Sequence, residues 1–172
     1  MNRTAPDPDA FRSVAGRFAT GVTVVATRSA DGPFGMTANS FATVSLDPLL
    51  VLVCVGHKAR IREHLLATGA FAVTVLGVGQ QATARRFADP RRPLGAAAFA
   101  DDAWAPGPAT GSPVLLDGAG WFDCTVHAVH PAGDHAIVVG AVQAIGRPPA
   151  AQPLVFSGGA FHTTAPALEI PA

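Results

Sequence analysis

The apolar positions of this chain fall into short blocks rich in Val, Ile and Thr and bounded by Gly, Pro or Asp, the pattern of β-strands more than of helices. Val22-Thr23-Val24-Val25-Ala26-Thr27 predicts a strand, and Ala30-Asp31-Gly32-Pro33 a turn into a second strand, so the two form a hairpin. Leu49 to Val55 is apolar without interruption and predicts a strand buried on both faces. Phe71 to Leu76 predicts another. Trp121 to Val129 and His135 to Gln143 have matching lengths and flank His130-Pro131-Ala132-Gly133, which predicts a second hairpin, and Pro153 to Ser157 predicts a last short strand.

Three segments carry the helical period instead. Asp7-Pro8-Asp9 can cap and start a helix of about three turns bearing Phe11, Val14, Ala15 and Phe18, which Thr20-Gly21 ends. His57 to Thr68, with Ile61, Leu65 and Leu66 on one face, predicts a second helix closed by Gly69. Gln80 to Asp89 predicts a third, stopped by Pro90, and residues 91–112 are irregular. Six or seven strands with a few helices favour a mainly β fold with peripheral helices, a closed or nearly closed barrel, over a doubly wound sheet.

One strand does not fit a packing role. In Gly35-Met36-Thr37-Ala38-Asn39-Ser40-Phe41-Ala42-Thr43-Val44-Ser45-Leu46-Asp47-Pro48, Thr37, Asn39, Thr43 and Ser45 fall on one face of an alternating strand. A core has no use for so many hydroxyls and amides. They can hydrogen-bond the edge of a flat polar ring, and they equally suit turns and an edge strand facing water.

Composition narrows the setting. A chain of 172 residues is sized for one domain (1–172, core about 11–162) with one sizeable core. Zero net charge and 14% charged residues exclude an electrostatic nucleic-acid binder, while 49% apolar residues predict a surface covered by a second copy, a homodimer. The apolar runs are too short to span a membrane, so the chain is expected to be cytoplasmic. Cys54 and Cys124 sit inside apolar strands as free thiols do. No nucleophile elbow, phosphate loop, CxxC or HExxH occurs, and the six histidines have no metal-ligand spacing, so no metal is expected. Hydride transfer to a bound cofactor, which demands chiefly positioning, fits such an inventory.

Four motifs then carry a resemblance: Gly16-Arg17-Phe18-Ala19-Thr20-Gly21-Val22; the Gly35 to Phe41 segment with Val44-Ser45-Leu46-Asp47-Pro48; Gln81 through Arg85-Arg86-Phe87; and Gly133-Asp134-His135. In this order and spacing the chain resembles the short-chain flavin reductases, the reductase components of two-component flavin-dependent monooxygenases. The resemblance implies an FMN-binding split β-barrel, a homodimer with flavin near the subunit interface, reduction of FMN or FAD by NADH or NADPH, and delivery of reduced flavin by diffusion to a partner monooxygenase. It implies that Thr37, Ala38, Asn39 and Ser40 meet the flavin ring, with Ser45, Leu46 and the strand end Cys54-Val55 alongside. Lys58, Ala59 and Arg60 would offer amides and cations to the phosphate, with Arg85, Phe87 and Arg86 nearby. Phe161 would pack over nicotinamide or flavin, and His135 would position the nicotinamide. The arginines can equally be solvated helix charges, Cys54 an apolar filler and His135 a surface hairpin residue. A non-enzymatic flavin-binding or electron-carrier protein would use the same ring site, as would a flavoprotein that keeps its flavin as a prosthetic group.

Overall fold

The computed structural model describes residue 5, residues 7–148 and residues 152–165, so the outermost ends of the expected domain lie outside the described residues. In chain order the elements are α1 (Pro8–Ala15), β1 (Thr20–Gly21), β2 (Thr23–Ser29), β3 (Gly32–Ala38), β4 (Ala42–Leu46), β5 (Leu49–Gly56), α2 (Ile61–Thr68), β6 (Ala70–Val75), α3 (Gln81–Ala88), a 3₁₀ turn (Gly95–Phe99), β7 (Trp104–Pro106), β8 (Pro113–Leu115), β9 (Gly120–Ala132), β10 (His135–Gly146), β11 (Val155–Ser157) and β12 (Ala160–His162). The fold is mainly β with peripheral helices, as the sequence pattern predicts.

Seven strands pair in the order β3-β2-β6-β9-β10-β5-β4, antiparallel throughout. The outermost strands, β3 and β4, are neighbours in sequence. Laid flat at about 4.8 Å per strand they would stand roughly 29 Å apart, whereas the link from Ala38 to Ala42 reaches at most about 14 Å. The sheet must therefore roll until its edges approach, which makes a barrel split between β3 and β4.

Alternation along the strands divides the apolar residues between two cores. Inside the barrel lie Val25, Val51, Val53, Val55, Phe71, Val73, Cys124 and Val138, capped by Ile61 and Leu65 of α2. Outside β2 and β6, a second core of Val22, Val24, Leu76, Phe87, Phe99, Leu115 and Leu154 is roofed by α3, the 3₁₀ turn and the β7-β8 ribbon. Strand β2 is buried on both faces, and its buried hydroxyls are satisfied: Thr23 Oγ1 donates to Ala38 O at 2.7 Å and Thr27 Oγ1 to Ala70 O at 2.8 Å.

Several expectations change in the folded chain. Strand β5 buries only Val51, Val53 and Val55, while Leu50, Leu52 and Cys54 on its other face are half-buried, because no element among the described residues covers that face fully. The first helix stops at Ala15, shorter than expected, though Asp7 caps it and Pro8 opens it as the sequence predicts. Thr20-Gly21 is a short strand paired to β11. The second hairpin turns on Gly133 and Asp134 alone, since His130 and Pro131 continue the ladder, and Gly133 takes φ +62°, the left-handed start that two-residue hairpins need. A further hairpin joins β11 to β12 through Gly158 and Gly159, both at positive φ. Residues 91–112 are less irregular than expected: Phe99 enters the outer core, and a buried carboxylate, Asp123, ties down the 107–112 loop by accepting from Ala109 N and Thr110 N at 2.8 and 3.0 Å.

Gly140 lies at a register shift in β10, where a Cβ would sit 2.5 Å from the Phe71 ring and 3.0 Å from Cys124 Cβ. Gly140→Ala should lower the unfolding free energy by roughly 1–3 kcal/mol through overpacking, read as a lower urea midpoint at unchanged slope.

Candidate active site

The site grows from the split in the barrel. The chain leaves β3 after Ala38, bends through Asn39, Ser40 and Phe41, and re-enters the sheet as β4. The motif read as one alternating strand is therefore two strands and a bend. The β4-β5 ladder begins at Ala42 opposite Leu52 and would place residue 40 opposite Cys54. There the Ser40 side chain takes the ladder's place: its Oγ accepts from Cys54 N at 3.0 Å and donates to Cys54 O at 3.3 Å. The Thr37 hydroxyl donates to Ala84 O at 2.7 Å, binding β3 to α3. Of the small polar residues at the motif's centre, Thr37 and Ser40 thus hold backbone in place, and Asn39 stands exposed at the bend.

Three cavities surround this bend. The first, about 280 Å³, is bordered by Thr37, Ala38 and Asn39 on one side and by Arg85 and Phe161 on the other. The Arg85 guanidinium sits 5.0 Å over the Phe161 ring, which meets Phe156 edge-on at 5.6 Å. Strand β12 and the cation–π contact thus bring the tail residue Phe161 against α3.

The second cavity, about 270 Å³, shares Thr37 and Ala88 with the first and adds Lys58, Ala59, Arg60, Phe87 and Arg92. Helix α2 begins at Ile61 and not at His57, because residues 57–60 form a turn in which Ala59 N donates to Gly56 O at 2.9 Å; the Ala59 amide is thereby engaged. The Arg60 guanidinium donates to Pro90 O at 2.6 Å and to Arg92 O at 3.3 Å. Arg92 in turn donates to Asp89 O at 2.9 Å and to Gly35 O. Burial, and then the neighbouring Arg60 charge, make Arg92 less basic than an ordinary arginine. Two guanidinium groups held this close, with Lys58 beside them, favour an anion in the cavity.

The third cavity, about 1020 Å³, lies at the other side of the bend, bordered by Ser40, Cys54, Asp134, His135 and by Phe11 and Arg12 of α1. His135 opens β10 opposite Gly56, and its Nδ1 lies 2.7 Å from Asp134 Oδ1. That hydrogen bond, with the imidazole's charge, holds the Asp134 carboxyl below its ordinary range. The His135 ring lies over the end of β5, within van der Waals reach of where a Cβ at residue 56 would sit, 3.5 Å from Nε2.

Not every expected residue joins these cavities. Ser45 and Leu46 lie on β4 away from them; Leu46 is 87% exposed, and Ser45 Oγ accepts from Asp47 N at 3.2 Å as a turn residue does. The Val55 side chain is wholly inside the barrel, so only its backbone faces outward. Phe87 borders the second cavity but is chiefly outer core, packed against Phe99 with centroids 4.8 Å apart and planes tilted by 60°. Arg86 is engaged elsewhere, with Asp101, Asp102 and Ala98 O. Arg92 was not anticipated: it follows Asp89-Pro90 in a stretch without periodicity, and only the fold returns it to Gly35, 57 positions earlier.

The seam of the split barrel thus carries a cationic cavity on one side of the bend and a histidine on the other. The family model described as "Flavin reductase like domain" matches residues 15–165. The chain is 44% identical over 156 residues to the NADH-dependent FAD reductase of Streptomyces globisporus, covering 91% of this chain and 85% of that one. It is 39% identical to HsaB, the reductase subunit of a flavin-dependent monooxygenase of Mycobacterium tuberculosis, over 96% of this chain and 87% of HsaB. The solved structure of the NADH:FAD oxidoreductase SgcE6 of Streptomyces globisporus superposes with a TM-score of 0.87 at 40% identity, covering 96% of this chain and 100% of that one. The chain belongs to the flavin reductase-like family.

The two thiols should differ sharply. Cys54 is half-exposed at the third cavity, whereas Cys124 is fully buried and its thiol is pushed up to about 12 by burial and by the Asp123 charge. A neutral-pH thiol reagent should label one cysteine in the native protein and two after unfolding, and Cys54→Ser should abolish the native labelling.

Proposed function

We propose that the bend at residues 39–41 and the cavities around it form the flavin and nicotinamide sites of this chain, which is an NAD(P)H-dependent flavin reductase. The observation that carries the reading is the division at that bend: two linked cavities ending at Arg60 and Arg92 on one side, and His135 on the other. The linked cavities suit a ring along Thr37, Ala38 and Asn39 with its phosphate toward Lys58, Arg60 and Arg92. The residues fit the group, since the paired guanidinium charges call for an anion that no carboxylate bordering that cavity provides. Bound there, flavin accepts hydride from the nicotinamide and leaves reduced. Residues Thr37 and Ser40 keep the bend rigid, so Asn39 and the local backbone meet the ring in a fixed geometry. His135, oriented through Nδ1 by Asp134, presents Nε2 to hydrogen-bond the nicotinamide carboxamide and set its face.

The reduced flavin serves a partner flavin-dependent monooxygenase, a reading supported by similarity to the HsaB reductase subunit. A homodimer is supported by uncovered apolar surface. Helix α1 buries none of its residues, and Phe11, Val14 and Phe18 are exposed. Val44, Leu46 and Leu49 are also exposed along β4 and the start of β5. Free thiols at both cysteines accord with a cytoplasmic location; among the described residues no helix is long and apolar enough to cross a membrane.

Anaerobic stopped-flow mixing of enzyme, flavin and NADH tests the activity and the histidine together. His135→Ala should raise the Michaelis constant for NADH more than that for flavin and slow hydride transfer, by up to about a hundredfold if the donor shifts by an ångström. Equal nicotinamide dependence and rate would make His135 a surface residue. Light scattering at micromolar concentration should give twice the chain mass, and Phe11→Asp with Val14→Asp should shift it toward the monomer.

A further inference from the structure

We propose that Lys58 is an acylation site, at which an acyl phosphate held in the phosphate cavity transfers its acyl group to the lysine amine and so weakens the grip on flavin; the inference rests on the assignment of the flavin phosphate to Lys58, Arg60 and Arg92. Lys58 is the only lysine among the 172 residues. It is exposed in the turn at residues 57–60 and borders both the phosphate cavity and a larger cavity of about 600 Å³. Among the described residues it has no salt-bridge partner. A guanidinium keeps its proton, whereas a lysine amine can release one and attack a carbonyl. The one lysine amine of the chain thus stands in its cationic cavity.

The cavity selects the donor. About 270 Å³ in volume, it is bordered by Lys58, Arg60 and Arg92 and by no carboxylate, so it attracts a small dianion. In an acyl phosphate the carbonyl carbon is bonded directly to a phosphate oxygen, and holding the phosphate therefore brings the carbonyl within reach of Lys58. A thioester donor carries its phosphates many bonds from its carbonyl, and seating them here would leave the acyl group far from Nζ.

The step balances without a co-reactant. Neutral Nζ attacks the carbonyl carbon, the N–C bond forms, the C–O bond to phosphate breaks, inorganic phosphate leaves with the electron pair, and the nitrogen releases a proton to water. Nothing is oxidised or reduced. Arg60 and Arg92, bordering the same cavity, stabilise the charge that grows on the departing phosphate. The product is a neutral amide in place of one of three cations, so the flavin phosphate loses a charged partner.

The test is incubation of the purified chain with acetyl phosphate, followed by intact mass, peptide mapping and titration with FMN by flavin fluorescence. One acetyl group should appear at Lys58, at a rate that saturates with acetyl phosphate, exceeds that of the urea-unfolded chain by about tenfold or more, and falls when inorganic phosphate or FMN is present. The acetylated protein should bind FMN about tenfold more weakly, the scale of one charge-assisted hydrogen bond, and Lys58→Gln should reproduce the loss. Lys58→Arg should take up no acetyl group at residue 58, and the treatment should leave its FMN affinity where it stood before. A rate that rises linearly with acetyl phosphate and ignores inorganic phosphate would overturn the proposal, because Lys58 would then react as any surface amine does. So would acetylation at Lys58 that leaves the FMN affinity of the folded protein unchanged. Failure of the phosphate assignment itself reads differently: FMN would not slow a labelling that inorganic phosphate still slows, and Arg92→Ala would leave FMN affinity unchanged, which removes the switch with it.

Discussion

The link between β3 and β4 is shorter than the sheet it must close, and most of the molecule follows from that. A chain that places its two sheet edges a few residues apart in sequence can only curl, and the seam it leaves has backbone groups without ladder partners. Ser40 supplies the hydrogen bonds that a continuing strand would have made to Cys54. Thr37 performs a similar task toward α3. The seam is thus braced at Thr37 and Ser40 without a covering strand, and a ligand can approach the bend from either side.

Charge is placed with comparable economy. The chain has no net charge, yet Lys58, Arg60 and Arg92 converge on the wall of the second cavity. The guanidinium groups of Arg60 and Arg92 donate to backbone carbonyls of the loop after α3 and of β3, which orders that loop while leaving the charge uncompensated by a carboxylate on the cavity wall. The two arginines of α3 divide between two tasks, Arg86 bracing the acidic pair Asp101 and Asp102 and Arg85 lying over Phe161.

Surface apolarity has a similar logic. Among the described residues, the outer face of β5 is only partly covered and α1 buries none of its residues. Phe11 and Arg12 of that helix border the cavity of His135. A partner seated on α1 would thereby reach the rim of that cavity, and association would couple to whatever the cavity holds through shared surface rather than through a distant rearrangement.

The sequence by itself determined the longer strands, the start of α1, the end of α2 and the mainly β class, because alternation, capping and turn chemistry are local: Asp7-Pro8 before α1, Gly69 after α2 and the β-branched run of β2 all act within a few residues. The family motifs likewise marked the Gly-Asp-His hairpin and the segment around residues 39–41, since those are contiguous, though they read that segment as one strand where the fold makes a bend. What only the tertiary structure decided is which groups meet. Arg92 reaches Gly35, Phe161 reaches Arg85, and Ser40 is taken up by Cys54, each across a distance in sequence that no periodicity encodes. The same holds for β5, whose unbroken apolar run predicts burial on both faces: local pattern records that a side chain avoids water, and the assembled sheet decides whether this chain or another surface provides the shelter.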